Sequence, residues 1–95
     1  MSVVTITLVG KPDCHLCDTA RDVVTSVITE LEASVSRLHD DSPQYVVEQL
    51  SILDDPVLLA RYAEDVPVVL INGRVHTIWR AEAARLKAAL LEASA

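Results

Sequence analysis

Phenylalanine is absent from this 95-residue chain, and its aromatic complement is one Trp and two Tyr. A core built on ring packing is therefore excluded, and Val, Leu, Ile and Ala have to supply it. They suffice: 51% of the residues are apolar, enough for one modest core without metal or disulfide staples, and too few residues for a second domain. Basic residues are also scarce, eight Lys and Arg against fourteen Asp and Glu, giving a net charge of −6 with no basic stripe. Such a surface repels a nucleic-acid backbone or an anionic membrane, so neither is expected as a partner. No apolar run approaches the ~20 residues of a membrane span. The apolar start, Met1 to Val9, lacks the basic region and small-residue cleavage site of a signal peptide. The expected location is the cytoplasm, for a single domain over residues 1–95. Cysteine is limited to two residues, and in that compartment a disulfide between them is transient and catalytic rather than structural.

Those two cysteines form Cys14-His15-Leu16-Cys17, placed where a short apolar strand gives way to a long amphipathic helix. The strand, Val3 to Val9, alternates branched residues with Thr and ends in the loop Gly10-Lys11-Pro12-Asp13, whose Asp13 is placed to cap the helix. Leu16, Ala20, Val23, Val24, Val27, Ile28, Leu31, Val35 and Leu38 recur every three or four residues, so one stripe of that helix faces a core. His39 to Pro43 reads as a polar turn, and Tyr45 to Ile52 as a second strand, weakened by Glu48 and Gln49. Asp54-Asp55-Pro56 opens a short helix over Val57 to Ala63. Val66 to Ile71 and Arg74 to Trp79 flank Asn72-Gly73, a hairpin signal because both central residues of a type I′ turn need positive φ. A last helix runs from about Glu82 to Ala93, with Ala83, Leu86, Leu90 and Ala93 inward. A right-handed crossover makes the first two strands parallel. The expected architecture is α/β, β-α-β-α-β-β-α, a four-stranded mixed sheet with the first strand between the second and the Val68 strand, and helices on both faces.

Position gives the cysteines their chemistry. Unpaired N–H groups and the positive end of the dipole at a helix start stabilise a thiolate, which makes Cys14 the candidate nucleophile. Cys17, one turn later, reaches it with little backbone movement and is the candidate resolving thiol. His15 lies between them, where an imidazolium would favour the Cys14 thiolate, while Asp13 and Asp18 oppose this. Paired cysteines are also half of a zinc site, but there is no second pair, and His15, His39 and His76 show no His-x₃₋₅-His spacing. No metal site is expected.

Cys-x-x-Cys after the first strand, with Val66-Pro67 opening the third, resembles the thioredoxin fold. Lys11 three residues before Cys14, and the lack of an extra N-terminal strand and helix, are similar to its glutaredoxin branch. Asp54-Asp55-Pro56-Val57-Leu58 followed by Val66-Pro67-Val68-Val69 resembles the small glutaredoxin-like proteins of bacteria. The resemblance covers essentially the whole chain. It implies a cis-proline at Pro67 facing the dithiol, with the Val66 N–H and C=O as an edge on which a thiol-bearing peptide pairs beside Cys14. It also implies that Lys11 holds a carboxylate of glutathione. Two departures leave that glutathione site incomplete. Asp65 replaces the usual Thr before Val-Pro, and Thr77-Ile78-Trp79-Arg80 replaces the Gly-rich turn and Asp that hold the γ-glutamyl end, with Arg80 as a different anion contact. Trp79 is expected at the core edge. Arg21, Arg37, Arg61 and Arg85 are expected on solvated faces.

The function expected from these residues is thiol-disulfide exchange. Cys14 attacks a disulfide of a protein or a low-molecular-weight thiol and Cys17 resolves, with no bound cofactor, glutathione as one possible reductant, and a monomeric protein. The alternatives are a non-enzymatic thioredoxin-fold module that senses oxidation or binds a partner, and a soft-metal carrier using both thiolates.

Overall fold

The computed structural model describes residues 3–35 and 44–93. Seven elements follow one another: β1 Val3–Gly10, α1 His15–Val35, β2 Gln44–Ser51, α2 Pro56–Tyr62, β3 Val68–Ile71, β4 Arg74–Ile78 and α3 Ala83–Ala93. This is the β-α-β-α-β-β-α order of the glutaredoxin-like thioredoxin fold. Arg37, Leu38 and the turn read over 39–43 lie outside the described residues.

The sheet is ordered β2-β1-β3-β4. β1 pairs in parallel with β2 from Val3↔Gln44 to Gly10↔Ser51, and antiparallel with β3 from Ile6↔Ile71 to Val9↔Val68. β1 is therefore an inner strand, paired on both sides, and its side chains divide between two layers. Val4, Ile6 and Leu8 meet Ala20, Val24, Val27, Ile28 and Leu31 of α1 and Leu86 and Leu90 of α3. On the opposite face, Val9, Ile52 and Val68 pack with Leu58 and Tyr62 of the short α2. Asp55 caps α2, its carboxylate accepting the Val57 N–H at 2.8 Å. Asn72 (φ 51°) and Gly73 (φ 83°) both take the positive φ that joins β3 to β4 by a two-residue turn.

Seven residues of α2 cover only the dithiol end of their face. Farther along, Val3, Val46 and Val75 are exposed, and the Thr7 hydroxyl donates to Glu48 Oε2 at 3.2 Å in the middle of this open stretch. The two polar residues that break the pattern of β2 are thereby placed: Glu48 pairs across to Thr7 and Gln49 stands opposite Leu8.

Some readings of the sequence are corrected. Leu16 was expected in the apolar stripe but is 51% exposed. The inward row of the first turn is Cys17, Ala20 and Val24, at spacings of three and four, and Leu16 lies about 100° off Cys17 around the helix. Ala83 and Ala93 are exposed at the ends of α3, whose burial is confined to Leu86 and Leu90. β3 starts at Val68 rather than Val66, because Pro67 has no N–H for the ladder.

His76 on β4 is partly buried, and its Nε2 has no hydrogen-bond partner among the described residues. Burial, and then the positive charge of Arg85 on α3, lowers its pKa below the usual 6.5. The unfolded chain therefore binds this proton more tightly, and the His76 contribution to stability is full above 6.5 and is lost as pH falls below it. In a proton NMR titration His76 is expected to ionise below 6.5, and Arg85→Gln to move the midpoint upward. Ile6, fully buried at the centre of β1, sets the scale of the core: Ile6→Ala should cost about 2–5 kcal/mol in urea unfolding.

Candidate functional site

β1 carries the chain to Gly10 at the sheet end, and residues 11–14 turn it into α1. Asp13 takes φ 57°, the left-handed conformation that reverses the chain within this loop. Cys14 then occupies the position before the first helical residue. Its carbonyl accepts the Asp18 N–H at 3.1 Å, and its Sγ accepts the Cys17 N–H at 3.1 Å. The sulfur thus does what a Ser or Asp oxygen does at a helix N-cap, satisfying an otherwise orphaned amide. Asp13, expected to be the cap, stands one residue too early and in the wrong backbone region.

Cys14 and Cys17 are joined in a disulfide with Cα atoms 5.2 Å apart, within the ordinary range. Their surroundings differ. Cys14 is 9% exposed, whereas Cys17 is half-buried and lines a cavity of about 250 Å³ between the start of α1, the loop after β1 and the last residues of β2. Lys11, Asp18, Arg21, Gln49, Asp54 and Pro67 are among the residues around it. Arg21 Nη2 and Asp18 Oδ1 are 3.5 Å apart across the first turn of α1, both well exposed, so this pair contributes little to stability. Of the residues singled out in the sequence, Lys11, Cys17 and Pro67 come together here, while Cys14, His15 and Val66 do not line the cavity. His15 is exposed at the first position of α1.

The Val66–Pro67 peptide is cis, Pro67 is buried and Val66 is half-buried. This loop is held on both sides. The Asp65 N–H donates to the Tyr62 carbonyl at 2.9 Å, and the Trp79 N–H donates to the Pro67 carbonyl at 2.8 Å. The Trp79 indole Nε1 donates to the Glu64 carbonyl at 3.0 Å. Trp79 is therefore not a core-edge residue: it is 55% exposed, takes φ 67°, and clasps the proline loop with two hydrogen bonds. Its place was readable in outline, since counting outward from the Asn72-Gly73 turn brings residue 79 beside Val66, and a one-residue bulge between Val69 and Leu70 moves it to Pro67. Gly10 was also passed over. A Cβ built on it would lie 3.2 Å from Cys17 Sγ and 3.3 Å from Cys17 Cβ, so a glycine at the end of β1 makes room for the second cysteine. Among the described residues, no three His, Cys, Asp or Glu side chains cluster as metal ligands, and no helix is long and apolar enough to cross a membrane.

The profile of the glutaredoxin-like domain (DUF836) matches residues 5–91, from β1 into α3. The chain belongs to this family. Among solved structures, this glutaredoxin-like domain is similar to the X-ray structure of Northeast Structural Genomics target protein XcR50 from X. campestris. The two are 30% identical with a TM-score of 0.65, over 92% of this chain and 96% of that one. A structure described as that of a malarial protein shares 9% identity and a TM-score of 0.64 over 99% and 100% of the two chains, a likeness of fold alone. No match is found among curated proteins. The fold and the Cys-x-x-Cys disulfide of this glutaredoxin-like domain are consistent with thiol-disulfide chemistry.

The loop conformation can be checked on Asp13. An Asp tolerates left-handed φ better than a β-branched residue, so Asp13→Val is expected to destabilise the domain by roughly 1–2 kcal/mol, and Asp13→Gly to leave it unchanged or slightly more stable, by chemical denaturation.

Proposed function

We propose that this domain is a small dithiol oxidoreductase in which Cys14 is the nucleophile and Cys17 the resolving thiol. The observation that carries the reading is the capping of α1 by the Cys14 sulfur. In the reduced protein a sulfur at this position accepts an amide N–H and faces the positive end of a 21-residue helix, and both favour thiolate over thiol. The thiolate attacks one sulfur of a substrate disulfide, the substrate's second sulfur leaves as a thiolate, and a mixed disulfide through Cys14 remains. Cys17 thiolate then attacks Cys14 Sγ, forming the Cys14–Cys17 bond and releasing the substrate as a thiol after protonation. Two electrons pass from the protein to the substrate, and a reductant must return them.

In this reading Val66 and Pro67 form the edge against which the substrate lies, Lys11 offers a cation to a carboxylate of the substrate or reductant, and His15 biases the Cys14 ionisation from the helix start. Glutathione serves less readily than in glutaredoxins with a full site, because Asp65 adds negative charge beside Val66 and Trp79-Arg80 stands where a Gly-rich turn would be. The protein works as a cytoplasmic monomer on protein disulfides or small disulfides. One observation favours a second reading, an oxidation sensor without turnover: Cys14 is only 9% exposed in the disulfide form.

Cys17→Ser is expected to accumulate a mixed disulfide through Cys14 when offered a disulfide substrate, seen as a mass increase that a reductant reverses, while Cys14→Ser keeps only background turnover in insulin reduction. Wild-type protein that forms the Cys14–Cys17 bond reversibly and yet reduces no disulfide would establish the sensor instead.

A further inference from the structure

Trp79 is the only Trp of a chain without Phe, and this largest of its side chains is not placed in the core. Tryptophan is highly buried on average in folded proteins, yet here it is 55% exposed. Its single polar atom is already satisfied, since Nε1 donates to the Glu64 carbonyl at 3.0 Å. What the side chain shows to solvent is therefore carbon. Ile78, also exposed at the end of β4, continues the same apolar surface.

That surface is held still. The Trp79 main-chain N–H donates to the Pro67 carbonyl at 2.8 Å and the indole N–H reaches Glu64, so the residue spans the segment from Pro67 back to Glu64, with Val66 inside the span. A ring fixed in advance loses little conformational freedom when another group packs on it. Rigid aromatic side chains are efficient anchors at interfaces for this reason.

The group it would meet is set by Val66. Neither the Val66 N–H nor its C=O makes a hydrogen bond among the described residues, and β3 begins only at Val68. The backbone here can pair with an extended chain. Such a chain advances ~3.3 Å per residue, which carries the residues flanking its cysteine past the indole. Glutathione has no apolar side chain to lay on the ring, whereas a polypeptide does. Clasping the loop does not by itself require an indole, because a glutamine amide is also a donor to the Glu64 carbonyl.

Resting on the oxidoreductase reading above, we propose that Trp79 is a specificity-determining residue whose exposed ring receives an apolar side chain next to the disulfide cysteine of an extended polypeptide. The substrate class is then a protein disulfide with an apolar flank. Clasp and platform are two uses of one side chain: its N–H holds the Pro67 loop, and its carbon face reads the substrate.

Two Trp-free peptides test this, one with leucine on both sides of a cysteine and one with alanine there, each presented as its disulfide-linked dimer to pre-reduced protein. Wild type is expected to reduce the leucine dimer about tenfold or more faster than the alanine dimer at low concentration. Trp79→Phe keeps an aromatic face without the indole N–H and should retain most of that preference. Trp79→Gln keeps a donor without the ring, and its preference should fall to about onefold. A residue that served only as a clasp would slow both peptides alike and leave the preference in place, so a preserved preference in Trp79→Gln overturns the proposal. Should neither variant fold, the wild type still decides through the fluorescence of its one indole. Oxidised protein titrated with the leucine peptide carrying serine for cysteine is expected to show a saturable blue shift, with half-saturation at about tenfold lower concentration than for the alanine version. No shift, or equal half-saturation, overturns the proposal. The two levels of failure separate cleanly: equal reduction of both dimers removes the role of Trp79 alone, and reduction of neither removes the oxidoreductase reading itself.

Discussion

The hydrogen bond from the Cys17 amide to the Cys14 sulfur unites two tasks that most helix starts keep apart. A helix must satisfy its first amides, and Ser, Thr, Asp or Asn usually does so at modest gain, about 1 kcal/mol. Here the capping atom is a sulfur that is also one end of the disulfide. The geometry that closes the helix therefore holds the sulfur in the field that lowers the cost of ionising it. The second cysteine supplies the amide for that contact and, through its side chain, the partner for the disulfide. Two residues one turn apart thus provide both the cap and the disulfide.

That arrangement depends on β1. Flanked by β2 and β3, with Val4, Ile6 and Leu8 under α1 and α3 and Val9 under α2, it cannot shift register by one residue without exchanging its two faces. A fixed β1 fixes Gly10, and the loop from Gly10 to Cys14 is too short to let the helix start wander. The Pro67 loop is held from the other side, through β3, the Asn72-Gly73 turn and the return of β4 to Trp79. The cysteines and Pro67 reach one end of the sheet by independent routes that share only the β1–β3 pairing.

Much of this was legible in the sequence because the signals are local and agree with one another. The period of Ala20, Val24, Val27, Ile28 and Leu31, the alternation in β1 and the Asn-Gly turn each follow from one segment, and together they allow few topologies. The place of Trp79 was readable only to within one residue, because a one-residue bulge in β3–β4 pairing moves it from Val66 to Pro67 and the sequence carries no mark of that bulge. Gly10 looked like loop punctuation, and its use appears only when Cys17 is placed opposite it. The cap was misassigned to Asp13 because capping statistics favour Asp, while the position belongs to the residue whose backbone leaves the β region just as the helix begins. Cysteine is an uncommon cap, and here the same sulfur is half of the disulfide.

The uncovered half of the sheet has a consequence for the company this protein keeps. β2 is an edge strand, and exposed Val46 and Val47 would make it an attractive template for another extended chain. Glu48 interrupts that template. Held across the face by Thr7, its carboxylate stays at mid-strand, so a second copy aligning there would have to bring two like charges together or strip one of its water. A single acid on the open side thereby disfavours the addition of a second copy's strand at this position.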